Sequence, residues 1–210
     1  MRQPNTYHKL LFLAIALFIS TVTTSAAPTA ASVLDKAASA LLKAKTVTAS
    51  YTVKSGGAVQ KGSISVKGKK FCIACGGFGT WYDGRTLWNY NKADNEVTIS
   101  APTAQEIVTV NPYALLSSYK TLFTAKLQNS SIAGTYAITL TPKSAQNMVR
   151  HAVLYIRSSD SQPVRLDVTD RTGAKSIVVI TDIRRGSKLT DSAFVFPSSR
   201  YKNVSTIDLR

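Results

Sequence analysis

Trp81-Tyr82-Asp83-Gly84-Arg85-Thr86-Leu87-Trp88-Asn89-Tyr90-Asn91-Lys92-Ala93-Asp94-Asn95-Glu96-Val97-Thr98-Ile99 carries the pattern that decides the fold of this 210-residue chain. Asp83-Gly84 reads as a tight hairpin turn, because glycine takes a positive φ at no Cβ cost. Thr86 to Tyr90 is rich in residues that suit a pleated surface. Asn91 to Asn95 gathers turn formers, and Glu96 to Ile99 resumes a strand. The stretch is therefore the middle of an antiparallel meander. It holds no group whose chemistry demands catalysis, so it reads as scaffold for binding.

Working outward from it, the same pattern recurs on both sides. Thr46 to Lys54, with Tyr51 and Val53 alternating, and Val59 to Lys67, with Ile64 and Val66, read as strands joined at Gly56-Gly57. Phe71, Ile73 and Cys75 alternate with Cys72 and Ala74. Downstream, Thr135 to Leu140, Ala152 to Arg157, Val164 to Thr169 and Ser176 to Ile183 are strand-like. Ser159 to Pro163 and Asp170 to Gly173 serve as connections. Phe194-Val195-Phe196-Pro197 reads as a last strand stopped by proline.

Two stretches break the pattern. Ala30 to Lys45 places Val33, Leu34, Ala37, Ala38, Leu41 and Leu42 at helical spacing, and is rich in alanine. Asn111-Pro112 caps and opens a short apolar helical segment with Tyr113, Leu115, Leu116 and Tyr119. Helices this short need a hydrophobic surface to lie on. About ten or eleven strands and two or three helices give a mainly β fold, one large curved antiparallel sheet.

The first residues set the compartment. Arg2 and Lys9 precede and flank the apolar run Leu10 to Ile19, and small residues follow at Thr24 to Ala27, the layout of a secretory signal. The expected organisation is a cleaved signal over 1–27 and one domain over 28–210. Loss of Arg2 and Lys9 takes the cationic residues from 26 to 24 against 11 acidic ones, and the net charge from +15 to +13. A basic surface attracts anionic partners, whether lipid head groups, nucleic acid or an acidic protein, or serves solubility alone; nucleic acid is disfavoured outside the cytoplasm, and contact with anionic lipid is one expectation.

Catalytic chemistry is scarce. His151 is the only histidine beyond the signal, and it sits in a strand context with no nucleophile or carboxylate beside it. No metal-ligand spacing or phosphate-cradling loop is present, so no metal, cofactor or catalytic residue is expected. Cys72 and Cys75 form a CxxC on strand-like residues, where positions three apart point to opposite faces. A reduced pair, a structural disulfide and a redox pair all remain open from sequence.

The motif Asp83-Gly84-Arg85-Thr86-Leu87-Trp88-Asn89-Tyr90-Asn91, followed by Glu96-Val97-Thr98-Ile99, resembles the LolA family of periplasmic lipoprotein carriers, which show D-G-x-x-L-W-x-Y-[DN] ahead of an E-V-T strand. Asn111-Pro112-Tyr113-Ala114-Leu115-Leu116 is similar to the family's short apolar helix, and Phe194-Val195-Phe196 to its closing strand. The resemblance implies a half-open antiparallel β-barrel with helices forming a lid over an apolar cavity. It implies a monomeric, non-enzymatic carrier in the periplasm that takes lipoprotein acyl chains from an inner-membrane ABC-type lipoprotein-releasing complex towards the outer membrane. The expected cavity residues are Phe71 and Ile73 on the wall, Val33, Leu34, Ala37 and Leu41 on the first helix, and Tyr113, Leu115 and Leu116 on the second. Many members carry an Arg-Pro pair before the third-strand Phe, tied to handing cargo on. Here the run is Val66-Lys67-Gly68-Lys69-Lys70-Phe71; the Arg is missing, no single Lys replaces it by position, and the pattern looks more like Bacteroidetes-type members. The competing class is a lipid- or lipoprotein-sensing module on the same half-barrel.

Overall fold

The computed structural model describes residues 27–103, 106–107, 119–145, 147 and 149–210. The expected signal up to residue 26, and Tyr113, Leu115 and Leu116, lie outside the described residues.

Twelve strands form one sheet. β1 (Thr46–Ser55), β2 (Ala58–Lys67), β3 (Lys70–Cys75), β4 (Phe78–Tyr82), β5 (Leu87–Asn91) and β6 (Glu96–Ser100) run as a meander. β7 (Phe123–Gln128), β8 (Thr135–Pro142), β9 (Val149–Arg157), β10 (Pro163–Asp170) and β11 (Lys175–Arg185) form a second one, and β12 (Ser205–Asp208) ends the chain. The spatial order is β12-β6-β5-β4-β3-β2-β1-β11-β10-β9-β8-β7. The two meanders meet where β11 pairs antiparallel with β1. The sheet is open and curved, as the strand reading and the family resemblance required.

The quoted stretch folds as a hairpin whose connection is longer than a two-residue turn. The Asp83 carboxylate accepts from the N–H groups of Arg85 and Thr86, both at 2.8 Å, and Gly84 sits at φ +104°. Gly56 and Gly57 join β1 to β2 at φ +54° and +83°, a conformation that other residues adopt only with strain.

The helix α1 (Ala30–Leu42) starts at Thr29, whose hydroxyl accepts from the Ser32 N–H while the Ser32 hydroxyl accepts from the Thr29 N–H. Its stripe of Ala30, Val33, Leu34, Ala37, Ala38 and Leu41 is buried. Leu42 breaks from the expected stripe and is 60% exposed, because the helix ends there and the chain turns into β1. Glu106–Ile107 and Tyr119–Leu122 are the other α-helical residues described, and Asp191–Phe194 and Ser198–Arg200 are 3-10 turns.

Three expectations about the strands need correction. Phe194-Val195-Phe196 is no strand: Asp191–Phe194 is a 3-10 turn, and Val195 is extended but outside the sheet. Phe194 and Phe196 are both buried, so the alternation records two anchors of a coil segment. The closing strand is β12, which pairs parallel with β6. β7 is a further strand that the periodicity did not single out.

Candidate functional site

The strands carry apolar residues to the concave face in cross-strand rows. Val47, Val66, Phe71, Tyr82 and Leu87 face one another across β1 to β5. Ile183, Ala49, Ile64 and Ile73 form the next row, and Ile138, Leu154, Leu166, Val178 and Val53 a third across the other meander. On β11 the members are Val178, Ile180 and Ile183, a spacing that strict alternation forbids. A bulge between Ser50 and Tyr51 resolves it: Ser50 pairs with Asp182, Tyr51 with Ile180, and Thr181 is left over. The Thr181 hydroxyl donates to the Ser50 carbonyl at 3.0 Å.

These rows do not fill the space they enclose. A cavity of about 390 Å³ lies between them, Leu34 and Leu41 of α1, and Tyr119 and Phe123. Its lining is aliphatic or aromatic throughout, and the hydroxyls of Tyr51 and Tyr119 are the polar side-chain atoms among the lining residues. Such a surface offers dispersion and hydrophobic burial to an apolar guest and no group to activate one.

Each hydroxyl is accounted for structurally. Tyr51 lies across the glycine opposite it: a Cβ on Gly62 would stand 2.4 Å from the Tyr51 ring. Burial, and then the neighbouring Cys75, push the Tyr51 hydroxyl up to about 12. Tyr119 donates to Asp35 at 2.9 Å, and Lys120 meets the other Asp35 oxygen at 2.8 Å. Burial first and then Asp35 raise Tyr119 to about 12, whereas Lys120 first and Tyr119 after it hold Asp35 below the usual carboxylate range. One acidic residue thus latches α1 to the helical turn beneath it.

The sequence-predicted residues divide. Leu34, Leu41 and Ile73 line the cavity. Val33 and Ala37 lie on the same helix but pack into a closed core with Ile138, Leu154 and Ile156. Phe71 faces the concave side, yet it is fully buried under Ile107 and against Tyr82, ring centroids 5.4 Å apart, so it belongs to the wall's core and not to the lining. Tyr113, Leu115 and Leu116 lie outside the described residues. The lining residues that sequence reasoning did not name come mainly from β1 and from β8 to β11. The signal was available in the alternation of Val47, Ala49, Tyr51 and Val53, but not in β11, where the bulge hides it.

The opposite face of β3 to β6 is covered in part by the C-terminal segment. Cys72, Trp81 and Trp88 form a row, and Phe196 and Tyr201 from the C-terminal segment cover Trp81, Tyr90 and Val97. Cys72 and Cys75 therefore sit on opposite faces of β3 and are both free thiols. Burial pushes Cys72 up to about 11, which removes its nucleophilicity near neutral pH. Of the lysines in the run from Val66 to Phe71, Lys67 and Lys70 share Asp191 at 2.9 and 2.8 Å, and Lys67 also donates to the Leu189 carbonyl at 3.0 Å. They fasten the C-terminal segment, whereas Lys69 is exposed.

An open antiparallel half-barrel with an apolar cavity under a short helix is the class of fold that the chain adopts. Within it, this chain belongs to the outer membrane lipoprotein carrier protein LolA family, whose model matches residues 19–173. Among solved structures, an uncharacterized conserved protein from Thermus thermophilus is similar at 16% identity and TM-score 0.58, over 85% of this chain and 98% of that one. A LolA superfamily protein from Nitrosomonas europaea is similar at 14% identity and TM-score 0.44, over 82% of this chain and all of that one. At these identities the likeness is one of fold, and the Thermus structure carries it. A comparison with curated proteins gave no match.

Proposed function

We propose that this protein is a periplasmic carrier that shields lipoprotein acyl chains between the inner and outer membranes, reached as a mature chain after signal removal. The observation that supports it is the unfilled apolar cavity of about 390 Å³ beneath α1. A well-packed core leaves no void of that size without a use.

The size of the cavity also bears on how loading works. Taking roughly 30 Å³ for a water-sized group, it holds on the order of a dozen such groups. That is about one acyl chain. Each buried methylene is worth ~0.8 kcal/mol, so a chain of about 15 gains ~12 kcal/mol on leaving water. Several chains need more room, which α1 supplies by moving off the strands. Leu34 and Leu41 then give up apolar contact as cargo takes it, so the net affinity stays moderate and cargo can leave. Thr29 and Ser32 keep the helix capped through the move, which requires a mature chain that starts no later than Thr29.

The test is lipid retention. The protein purified under gentle extraction is expected to carry lipoprotein or lipid, detected by mass spectrometry. Ala49→Phe, which fills the cavity from β1 with an apolar ring, is expected to fold normally and lose most of that lipid. Absence of lipid from the unmodified protein, or full retention in Ala49→Phe, contradicts the carrier reading.

A further inference from the structure

The strongly basic composition finds no use in the cavity, but its cations are not evenly spread. An open groove of about 800 Å³ runs outside the sheet where α1 ends and β11 stops. Lys43, Lys45, Lys67, Arg185 and Lys188 line it, with no carboxylate among the lining residues. The strand register explains why cations from distant parts of the sequence meet here. Thr46 opens β1 opposite Lys67 on one side, and Val47 stands opposite Arg185 on the other.

The frame is fixed. Gly186 donates its N–H to the Thr46 carbonyl at 2.9 Å, the Thr46 hydroxyl donates to the Ser187 carbonyl at 2.6 Å, and Lys67 holds the Leu189 carbonyl. Asp191, just beyond the groove, is taken up by Lys67 and Lys70. Lys43, Lys45, Arg185 and Lys188 have no carboxylate within ion-pair distance among the described residues. Leu42, the last residue of α1 and 60% exposed, precedes Lys43 in the chain but lies outside the groove lining, and the groove floor is largely aliphatic, from Ala40, Ala44 and Leu189.

We propose that this groove is a docking surface for a bilayer containing anionic phospholipid. The chemistry of the groove selects that partner. Unpaired cations at the rim, mostly on long flexible stems, suit a layer of phosphates whose positions are not fixed. The exposed Leu42, next to Lys43 at the end of α1, suits the boundary between head groups and acyl chains. A specific acidic protein face would be met by directional, pre-paired groups, and here the paired lysine, Lys67, is spent on the fold. Docking of this kind would bring the end of α1 to the membrane surface. It concerns a surface other than the cavity and stands whether or not the cavity takes acyl chains.

Flotation with vesicles tests it, using the purified protein with phosphatidylcholine alone and with phosphatidylcholine mixed with phosphatidylglycerol. Binding is expected to the mixed vesicles only, and to fade as salt shortens the screening length from ~10 Å at 0.1 M. Neutralising each cation is expected to weaken binding about fivefold, and the quadruple variant K43Q/K45Q/R185Q/K188Q by more than about a hundredfold. Leu42→Ser is expected to weaken binding at unchanged charge, and K126Q/K175Q, on distant parts of β7 and β11, to leave it intact. Thermal melting checks that each variant folds. No binding by the unmodified protein, full binding by the quadruple variant, or equal loss in K126Q/K175Q overturns the assignment; in the first two cases an acidic protein face becomes the partner to examine.

Discussion

The two faces of the sheet are covered in opposite ways. On the outer face, Trp81 meets Phe196 edge-on at 5.3 Å, Tyr90 meets Tyr201 at 4.4 Å, and Phe196 stacks on Tyr201 at 4.8 Å. The covering segment is also tied along its length: Asp191 to Lys67 and Lys70, the Asn95 amide to the carbonyls of Lys202 and Asn203, and β12 to β6. On the inner face, α1 is a separate 13-residue helix that packs with residues of β7 to β9, is latched through Asp35, and leaves a cavity between itself and the strands. The outer cover is fastened at several points along its length, whereas the inner one is tied through Asp35 and overlies unfilled space. Aromatic density and hydrogen bonding, not apolarity, separate the two.

That contrast is easiest to break on the outer face. Trp81→Ala is expected to destabilise the fold by about 3–5 kcal/mol, read as a lowered melting temperature. Leu41→Ala, which enlarges a void already present, is expected to stay at about 2 kcal/mol, the low end for such a truncation. Equal losses would mean that the inner face is as tightly packed as the outer.

Gly79→Ala comes next. Its Cβ would lie 2.4 Å from the Trp81 ring, so the indole must shift off Phe196. The cost expected is about 1–3 kcal/mol, with a change in Trp fluorescence. Gly62→Ala makes a similar clash against Tyr51, but that ring borders the cavity and has room to turn. It is expected to cost less than Gly79→Ala and to change lipid content instead.

The smallest effect belongs to the latch. Asp35 is about half exposed, so Asp35→Asn is expected to change stability by no more than about 1 kcal/mol while speeding lipid uptake. Its pH dependence has two limbs. Asp35 titrates below its ordinary range in the fold, so the latch's contribution is complete above about pH 4 and is lost as pH falls further. Tyr119 is raised to about 12, so its share is complete below about pH 10 and is lost as pH rises through 12. Uptake measured against pH is expected to be slowest between those limits, and the acid limb to vanish in Asp35→Asn.

Most of the sheet was legible because apolar residues recur at alternate positions along its strands, as Tyr51 and Val53 do in β1 and Ile64 and Val66 in β2. The β1–β2 hairpin, with Gly56-Gly57 at its tip, is the clearest example. The bulge at Thr181 was not legible, since it depends on how β11 meets β1, with Thr181 and Ser50 standing 131 residues apart in the chain. β12 was hidden for a different reason. Its four residues are all exposed, so it joins the sheet by backbone bonding alone and shows no apolar alternation. Phe194 and Phe196 misled in the reverse direction, because anchors two residues apart imitate a strand. Phe71 was placed on the correct face but not in the lining; alternation reveals a strand's faces, whereas Ile107 and Tyr82, which cover Phe71, come from elsewhere in the chain.

Backbone hydrogen exchange, followed residue by residue with and without bound lipid, tests most directly whether one cover stays and the other leaves. Loading is expected to raise exchange of the α1 amides from Val33 to Leu41 while amides of β12 and the Phe196–Tyr201 segment keep their protection. Unchanged protection of α1 on loading, or loss of protection in both segments together, would contradict it.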